Sequence, residues 1–156
     1  MSPFSPTLRS RIGSLLVLLQ FGLLIWLGIL AAPQAMQGHM TLPCWVLLAL
    51  SALLGGWTLM HNRLGNFNVH PEPKASGVMV TSGPYRLIRH PMYTTVLLGA
   101  AAMACIVGTW LVWLLWVALF AVLLVKSSLE EHWLREHHAQ YASYCRQCKR
   151  FVPWVF

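Results

Sequence analysis

The chain has 156 residues, of which 57% are hydrophobic and only 10% charged, and its formal net charge is +7. A soluble domain carries about 25% charged residues, so this composition excludes an ordinary soluble globule, and the length argues for a single domain, 1–156. Eight tryptophans and a positive mean hydropathy point to a membrane protein.

Four apolar stretches are expected to span, at 12–32, 42–60, 93–107 and 110–125. A spanning helix needs roughly 20 apolar residues, with about 17 as the lower limit. The first two stretches satisfy this. The first follows Arg9 and Arg11 in the manner of a signal peptide, but it exceeds the roughly 7–15 residue apolar core of one. A retained helix is expected. The last two stretches are short and separated only by Gly108 and Thr109, which predicts a tight hairpin rather than one long helix.

The connection 61–92 contains Pro71, Pro73, Gly77, Gly83 and Pro84, which argue against a long helix. Its segment "GVMVTSG" predicts a short extended stretch. Tyr85 to His90 suit a helical turn or two, and Pro91 suits the first turn of the third span. In the tail, 126–156, the composition predicts that the fourth span continues as a helix from Lys126 to about Tyr144. Glu130, Leu134, His137, Tyr141 and Tyr144 then share one stripe, and Glu131 can pair with Arg135 at i,i+4. The closing "CRQCKRFVPWVF" reads as a basic strip ending in an aromatic patch suited to the membrane interface. The expected class is therefore all-α, a polytopic helical bundle of four spans.

All eleven basic residues precede the first span or lie in the 61–92 connection or the tail. The loop 33–41 and the Gly108-Thr109 turn contain none. The positive-inside rule makes the basic side cytoplasmic, with both termini there. Basic residues beside spans meet anionic headgroups, so the charge needs no nucleic-acid partner. Cys145 and Cys148 form a C-x-x-C pair, but a zinc site takes about four ligands and no second pair exists, so no metal is expected. Cys44 and Cys105 are expected to pack.

Polar chemistry concentrates at two places. "GPYRLIRHPMY", residues 83–93, brings Arg86, Arg89, His90 and two tyrosines to the entrance of the third span. Interface anchoring explains arginine and tyrosine there, and explains His90-Pro91 less well. Beyond the fourth span, "EEHW" places Glu130 and Glu131, two of the four acids in the chain. Ordinary i,i+4 pairing, Glu130 with Lys126 and Glu131 with Arg135, would account for them alone. A tight hairpin, however, brings both clusters within reach of each other at equal depth. They would then offer carboxylates for hydroxyl or ammonium groups, arginines for a carboxylate and rings for a flat base.

The runs "LGNFNVHPEP", "GVMVTSGPYRLIRHPMYTTVLLG" and "EEHWLREHHAQYASYCRQCKRFVPWVF" resemble the isoprenylcysteine carboxyl methyltransferases and the related phospholipid N-methyltransferases, over about residues 64–156. The elements that carry the resemblance are G-P-Y-R, R-H-P-x-Y, E-E and a Y-x-x-Y before a closing basic-x-x-Pro. The first two spans show no distinguishing motif. The resemblance implies an integral-membrane enzyme using S-adenosylmethionine, with a cofactor pocket formed by the cytoplasmic loop and the C-terminal helix. It implies cofactor contacts from Tyr85, Arg86, His90, Pro91 and Tyr93, completed by Glu130 and Glu131 and closed by Tyr144 and Arg150. One departure is "HHAQY", where the family usually has Phe-Gly before the first tyrosine.

The acceptor sets the remaining chemistry. A carboxylate needs only to be held, and Arg89, then Arg86, are the candidates. An ammonium must first lose a proton, for which His90 or a glutamate is the candidate base. A prenylcysteine-like carboxyl is the first expectation and a phospholipid amine the second. A transporter would show polar groups deep in its spans, whereas these hold little beyond Gln20, Ser51, Thr58, Thr94 and Thr95. A non-catalytic scaffold stays open, as does sterol reduction with a nicotinamide cofactor. The small residues of "LLGAAAMA" predict close helix approach ahead of an acyl-chain cavity.

Overall fold

The computed structural model describes residues 6–62, 70 and 79–156. They form five α-helices: α1 (Pro6–Met36), α2 (Leu42–His61), α3 (Pro91–Val107), α4 (Trp110–His137) and α5 (Tyr141–Gln147). A 3-10 turn, Gly83–Arg86, precedes α3. No strand occurs among the described residues. The extended stretch expected at 77–83 falls partly outside them, and 79–82 form no strand. Arg63, Pro71, Pro73 and Lys74 also lie outside the described residues.

Helices α1, α2 and α4 are each long and apolar enough to cross a membrane, and α3 is a shorter apolar helix of 17 residues. At about 1.5 Å per residue, α3 covers roughly 25 Å against a hydrocarbon layer of about 30 Å. In the apolar windows of the three long helices only 17–28% of residues are buried. Leu18, Ile25, Ile29, Trp45 and Leu53 all point outward. Soluble monomers do not carry apolar surface on this scale, so lipid is the solvent for this bundle.

The helices associate by close fit. α2 lies along α3, and α1 packs on both α3 and α4. At the α2–α3 contact, a Cβ on Gly55 would stand 3.0 Å from Thr95 Cγ2, and one on Gly99 would stand 3.3 Å from Ser51 Oγ. Ser51 Oγ also donates to the Thr95 carbonyl at 2.9 Å. Ala100, Ala101, Ala102 and Ala104 are buried, so the small residues of α3 serve close packing, the normal means of association where lipid removes the hydrophobic drive. Leu27, Leu97, Leu119 and Leu123 fill the α1–α3–α4 core.

The α3–α4 hairpin turns at Gly108, whose φ of 72° and ψ of 6° are left-handed and whose N–H bonds to the Ala104 carbonyl. Gly is the residue that adopts this conformation without steric cost. Thr109 is extended and starts α4.

The tail departs from expectation. The helix that continues the fourth span ends at His137, with His138 extended at φ −127°. Three residues later α5 begins, so Tyr141 and Tyr144 do not stand on the α4 stripe with Glu130. No Gly or Pro forces this break. It is tertiary: Tyr141, Tyr144, Cys148 and Phe151 become buried when the chain folds back against residues 85–94. Arg89 N–H bonds to the Lys149 carbonyl (2.8 Å) and His90 N–H to the Arg150 carbonyl (3.1 Å).

The N-terminal end of α1 joins the same end of the bundle, since Arg9 pairs with Glu136 at 3.3 Å and lies over the Trp133 ring. Two glycines, one there and one at the far turn, make a contrasting pair. Gly83 has φ +57° and a Cβ would overlap the His61 ring, whereas one on Gly108 would meet the Cys105 carbonyl at an ordinary contact distance of 4.0 Å. Gly108→Ala should cost about 1 kcal/mol, from left-handed strain alone. Gly83→Ala should lower the thermal midpoint in detergent further, and adding His61→Ala should restore part of that extra loss. Equal midpoints for the two single variants would contradict the steric account.

Candidate active site

Helix α3 enters and α4 leaves the bundle side by side, and their two polar clusters meet. Glu131 is the centre. It is 1% exposed and lies beyond Val125, where the apolar run of α4 ends. Its Oε1 accepts from Arg89 Nε (2.8 Å), His90 Nε2 (3.1 Å) and Arg150 Nε (3.2 Å). Its Oε2 accepts from Arg150 Nη2 at 3.1 Å, with Arg135 at 3.5 Å. Burial opposes its charge, but the bonds from His90, Arg89 and Arg150 outweigh that and hold the carboxyl well below the usual carboxylate range. The expected Glu131–Arg135 pair thus forms as the most exposed part of a larger cluster.

Arg89 is equally committed. Burial disfavours its charge, yet the Glu131 bond wins and raises its pKa. Its Nη1 donates to the carbonyls of Cys145 and Cys148, which pins α5 to the loop before α3.

Glu130 is different. Its side chain is 31% exposed, and among the described residues it accepts one hydrogen bond, from the Tyr93 hydroxyl at 2.8 Å. His90 lies between the two acids. Its Nε2 donates to Glu131, and its Nδ1 stands 3.7 Å from Glu130. The imidazole is buried and stacked on Tyr93, with centroids 5.2 Å apart and planes 1° from parallel. Tyr85 completes this corner. Burial, reinforced by Glu130, pushes its hydroxyl up to about 12, and that hydroxyl has no hydrogen-bond partner among the described residues. Glu130 and Tyr85 are therefore the groups with capacity left for a ligand.

Of the remaining expected residues, Pro91, Tyr144 and Arg150 have structural duties and Arg86 has none among the described residues. Pro91 is buried at the first turn of α3. The Tyr144 hydroxyl donates to the Tyr85 carbonyl at 2.6 Å. Arg150 holds Glu131 and also donates to Ser128 Oγ at 3.1 Å. Arg86 is exposed, with no side-chain bond or ion pair among the described residues.

Some residues at this site escape sequence reasoning. Lys126, 1% exposed, does not pair with Glu130. It donates to Gln20 Oε1 of α1 at 2.7 Å, and its ammonium lies 5.2 Å from the Tyr93 ring centre. Gln20, the one amide within 12–32, is the signal that could have found it. Phe151 is buried against His90, Tyr93 and Phe120, and its carbonyl accepts from Thr94 Oγ1 at 2.9 Å. Nothing in "KRFVPW" marks it as a lid over the histidine.

A family model described as phospholipid methyltransferase matches residues 42–141. The chain belongs to the phospholipid methyltransferase family. It is thus a membrane methyltransferase, and enzymatic function takes precedence over a scaffold or transport role. The match begins with α2, earlier than the motifs alone indicate, and covers every residue of the site from Tyr85 to Glu131. Tyr144 and Arg150 lie beyond it, joined to the Tyr85–Glu131 cluster by the contacts above. No curated protein gives a significant match.

Glu131→Gln removes the counter-charge of a buried cluster and should cost about 3–5 kcal/mol. Arg135→Gln, at an exposed pair, should cost under about 1 kcal/mol. The folded pKa of Glu131 lies below its unfolded value, so its stabilisation is complete above about pH 4.3 and is lost as pH falls through the folded value. The midpoint difference between wild type and Glu131→Gln should therefore stay constant from pH 7 to pH 5 and shrink only well below pH 4. A difference that already shrinks near pH 6 would contradict the cluster as described.

Proposed function

We propose that the protein transfers a methyl group from S-adenosylmethionine to the amine of a membrane phospholipid. The observation that carries this reading is the unequal state of the two acids and of Arg89. Glu130 keeps an open carboxylate edge beside the His90 imidazole, which suits an ammonium. Arg89, expected to hold an acceptor carboxylate, has its guanidinium spent on Glu131 and two carbonyls.

The residues present fit the methyl donor by their chemistry. Glu130 can accept from sugar hydroxyls or an ammonium, the Tyr85 hydroxyl is an unsatisfied group beside it, and Tyr85 and Tyr93 offer ring faces. Bound there, S-adenosylmethionine supplies a methyl already activated by its sulfonium sulfur, so the protein has mainly to align the partners and exclude water. An ammonium acceptor must shed a proton before its nitrogen lone pair can take the methyl. His90 Nδ1 is the candidate to receive it, since Glu131 fixes the proton on Nε2 and Glu130 would stabilise the resulting cation. Tyr93 positions both, stacking on the imidazole and donating to Glu130. Arg86 and Arg150 are candidate contacts at the rim.

The basic end of the bundle is proposed to face the cytoplasm, where a water-soluble donor is found, with the acceptor entering laterally from the leaflet. Carboxyl methylation of an isoprenylcysteine-type substrate is the second reading. The observation in its favour is that Arg86 is exposed and unpaired among the described residues.

Purified protein in nanodiscs, given methyl-labelled S-adenosylmethionine, should label phosphatidylethanolamine and not a farnesylcysteine derivative. His90→Gln should lower kcat at least about tenfold and flatten the rise of rate with pH, with donor affinity little changed. Label entering only the farnesylcysteine carboxyl would overturn the amine reading in favour of the second.

A further inference from the structure

Beside this site the tail encloses an open cup of about 330 Å³. Four cations line it, Arg89, Arg146, Lys149 and Arg150, together with Val155 and Phe156, and none of its lining residues is acidic. Two of these charges are already neutralised, because Arg89 and Arg150 both hold Glu131. The other two are not. Arg146 and Lys149 are exposed, and their side chains have no hydrogen bond or ion pair among the described residues. An anion is the missing partner, and arginine with lysine is the pairing that recognises phosphate oxygens.

The rim decides what kind of anion. Trp154 is 83% exposed and Val155 75%, so an apolar lip adjoins the charged floor. A soluble anion would use only the floor, whereas an amphiphile with an anionic head uses both. The volume is in the range of small-molecule pockets, about 300–1,000 Å³, enough for a headgroup. Through Arg89 and Arg150 the cup shares the Glu131 cluster with the candidate active site, one residue from Glu130.

We propose that this cup binds the phosphodiester of a membrane phospholipid, held by Arg146 and Lys149. That the lipid is the methyl acceptor rests on the function proposed above; the binding itself does not.

The test is calorimetry on the full-length detergent-solubilised protein and on an Arg146→Gln, Lys149→Gln double variant, both positions being exposed and outside the Glu131 cluster. The probes are dihexanoylphosphatidylethanolamine, dihexanoylphosphatidylglycerol, phosphate-free dihexanoylglycerol, inorganic phosphate and S-adenosylhomocysteine. The two phospholipids should bind, with affinity lowered about tenfold or more in the variant, while the nucleoside's affinity stays unchanged. Preference for the ethanolamine lipid assigns the acceptor's own phosphate, and equal binding assigns a phosphodiester of either source. Equal affinity for dihexanoylglycerol, inorganic phosphate binding as tightly as the lipids, or phospholipid binding unchanged in the variant overturns the proposal. A variant that loses only the nucleoside reassigns the cup to the donor's carboxylate and overturns it as well. Failure of wild type to bind the nucleoside strikes the proposed function and leaves the lipid result standing.

Discussion

One buried carboxylate organises this end of the molecule. Glu131 gathers His90 from the start of α3, Arg89 from the loop before it, and Arg150 from the tail. Two chain segments, 89–90 and the tail at Arg150, are thereby fixed relative to α4. A buried charge is costly unless paired and fully hydrogen-bonded, so the segments cannot drift apart without exposing it to an unfavourable environment. Arg89 extends the constraint to α5 through two carbonyls, and the backbone bonds from 89 and 90 to 149 and 150 complete it.

That arrangement separates two adjacent and chemically identical residues into different roles. Glu131 is saturated and inaccessible, and its job is to orient His90 and set which ring nitrogen carries the proton. Glu130, one position along the helix, turns toward Tyr93 and keeps exposed surface. Catalytic sites commonly rely on this division, where one acid is spent on preorganisation and its neighbour is left for the ligand. Below the site, the close α2–α3 contact at Gly55, Ser51 and Gly99, and the Lys126–Gln20 bond between α4 and α1, hold the hairpin entrance at a fixed depth.

Much of this is legible in the sequence. Composition and apolar run length imply the helical membrane bundle, Gly108-Thr109 marks the hairpin, and the depth of "RHPMY" and "EEHW" implies that they meet. What escapes is whatever depends on side chains from distant segments. The break at His138 has no Gly or Pro to announce it, because burial of Tyr141, Tyr144 and Phe151 drives it. The i,i+4 rule foresees Glu131 with Arg135 but cannot foresee that His90, Arg89 and Arg150 dominate that acid. It also suggests Lys126 with Glu130, whereas a buried amide on α1 takes the lysine instead. Local spacing reports neighbours on one helix, and these partners are 19 to 106 positions apart.

The central claim is that Glu130, with Tyr85 and Tyr93 beside it, binds the methyl donor. Calorimetric titration of S-adenosylhomocysteine into wild type and Glu130→Gln tests it most directly. Micromolar binding by wild type, weakened about tenfold or more in a variant of unchanged thermal midpoint, is the predicted result. Binding of equal strength in both, or none by well-folded wild type, would contradict it.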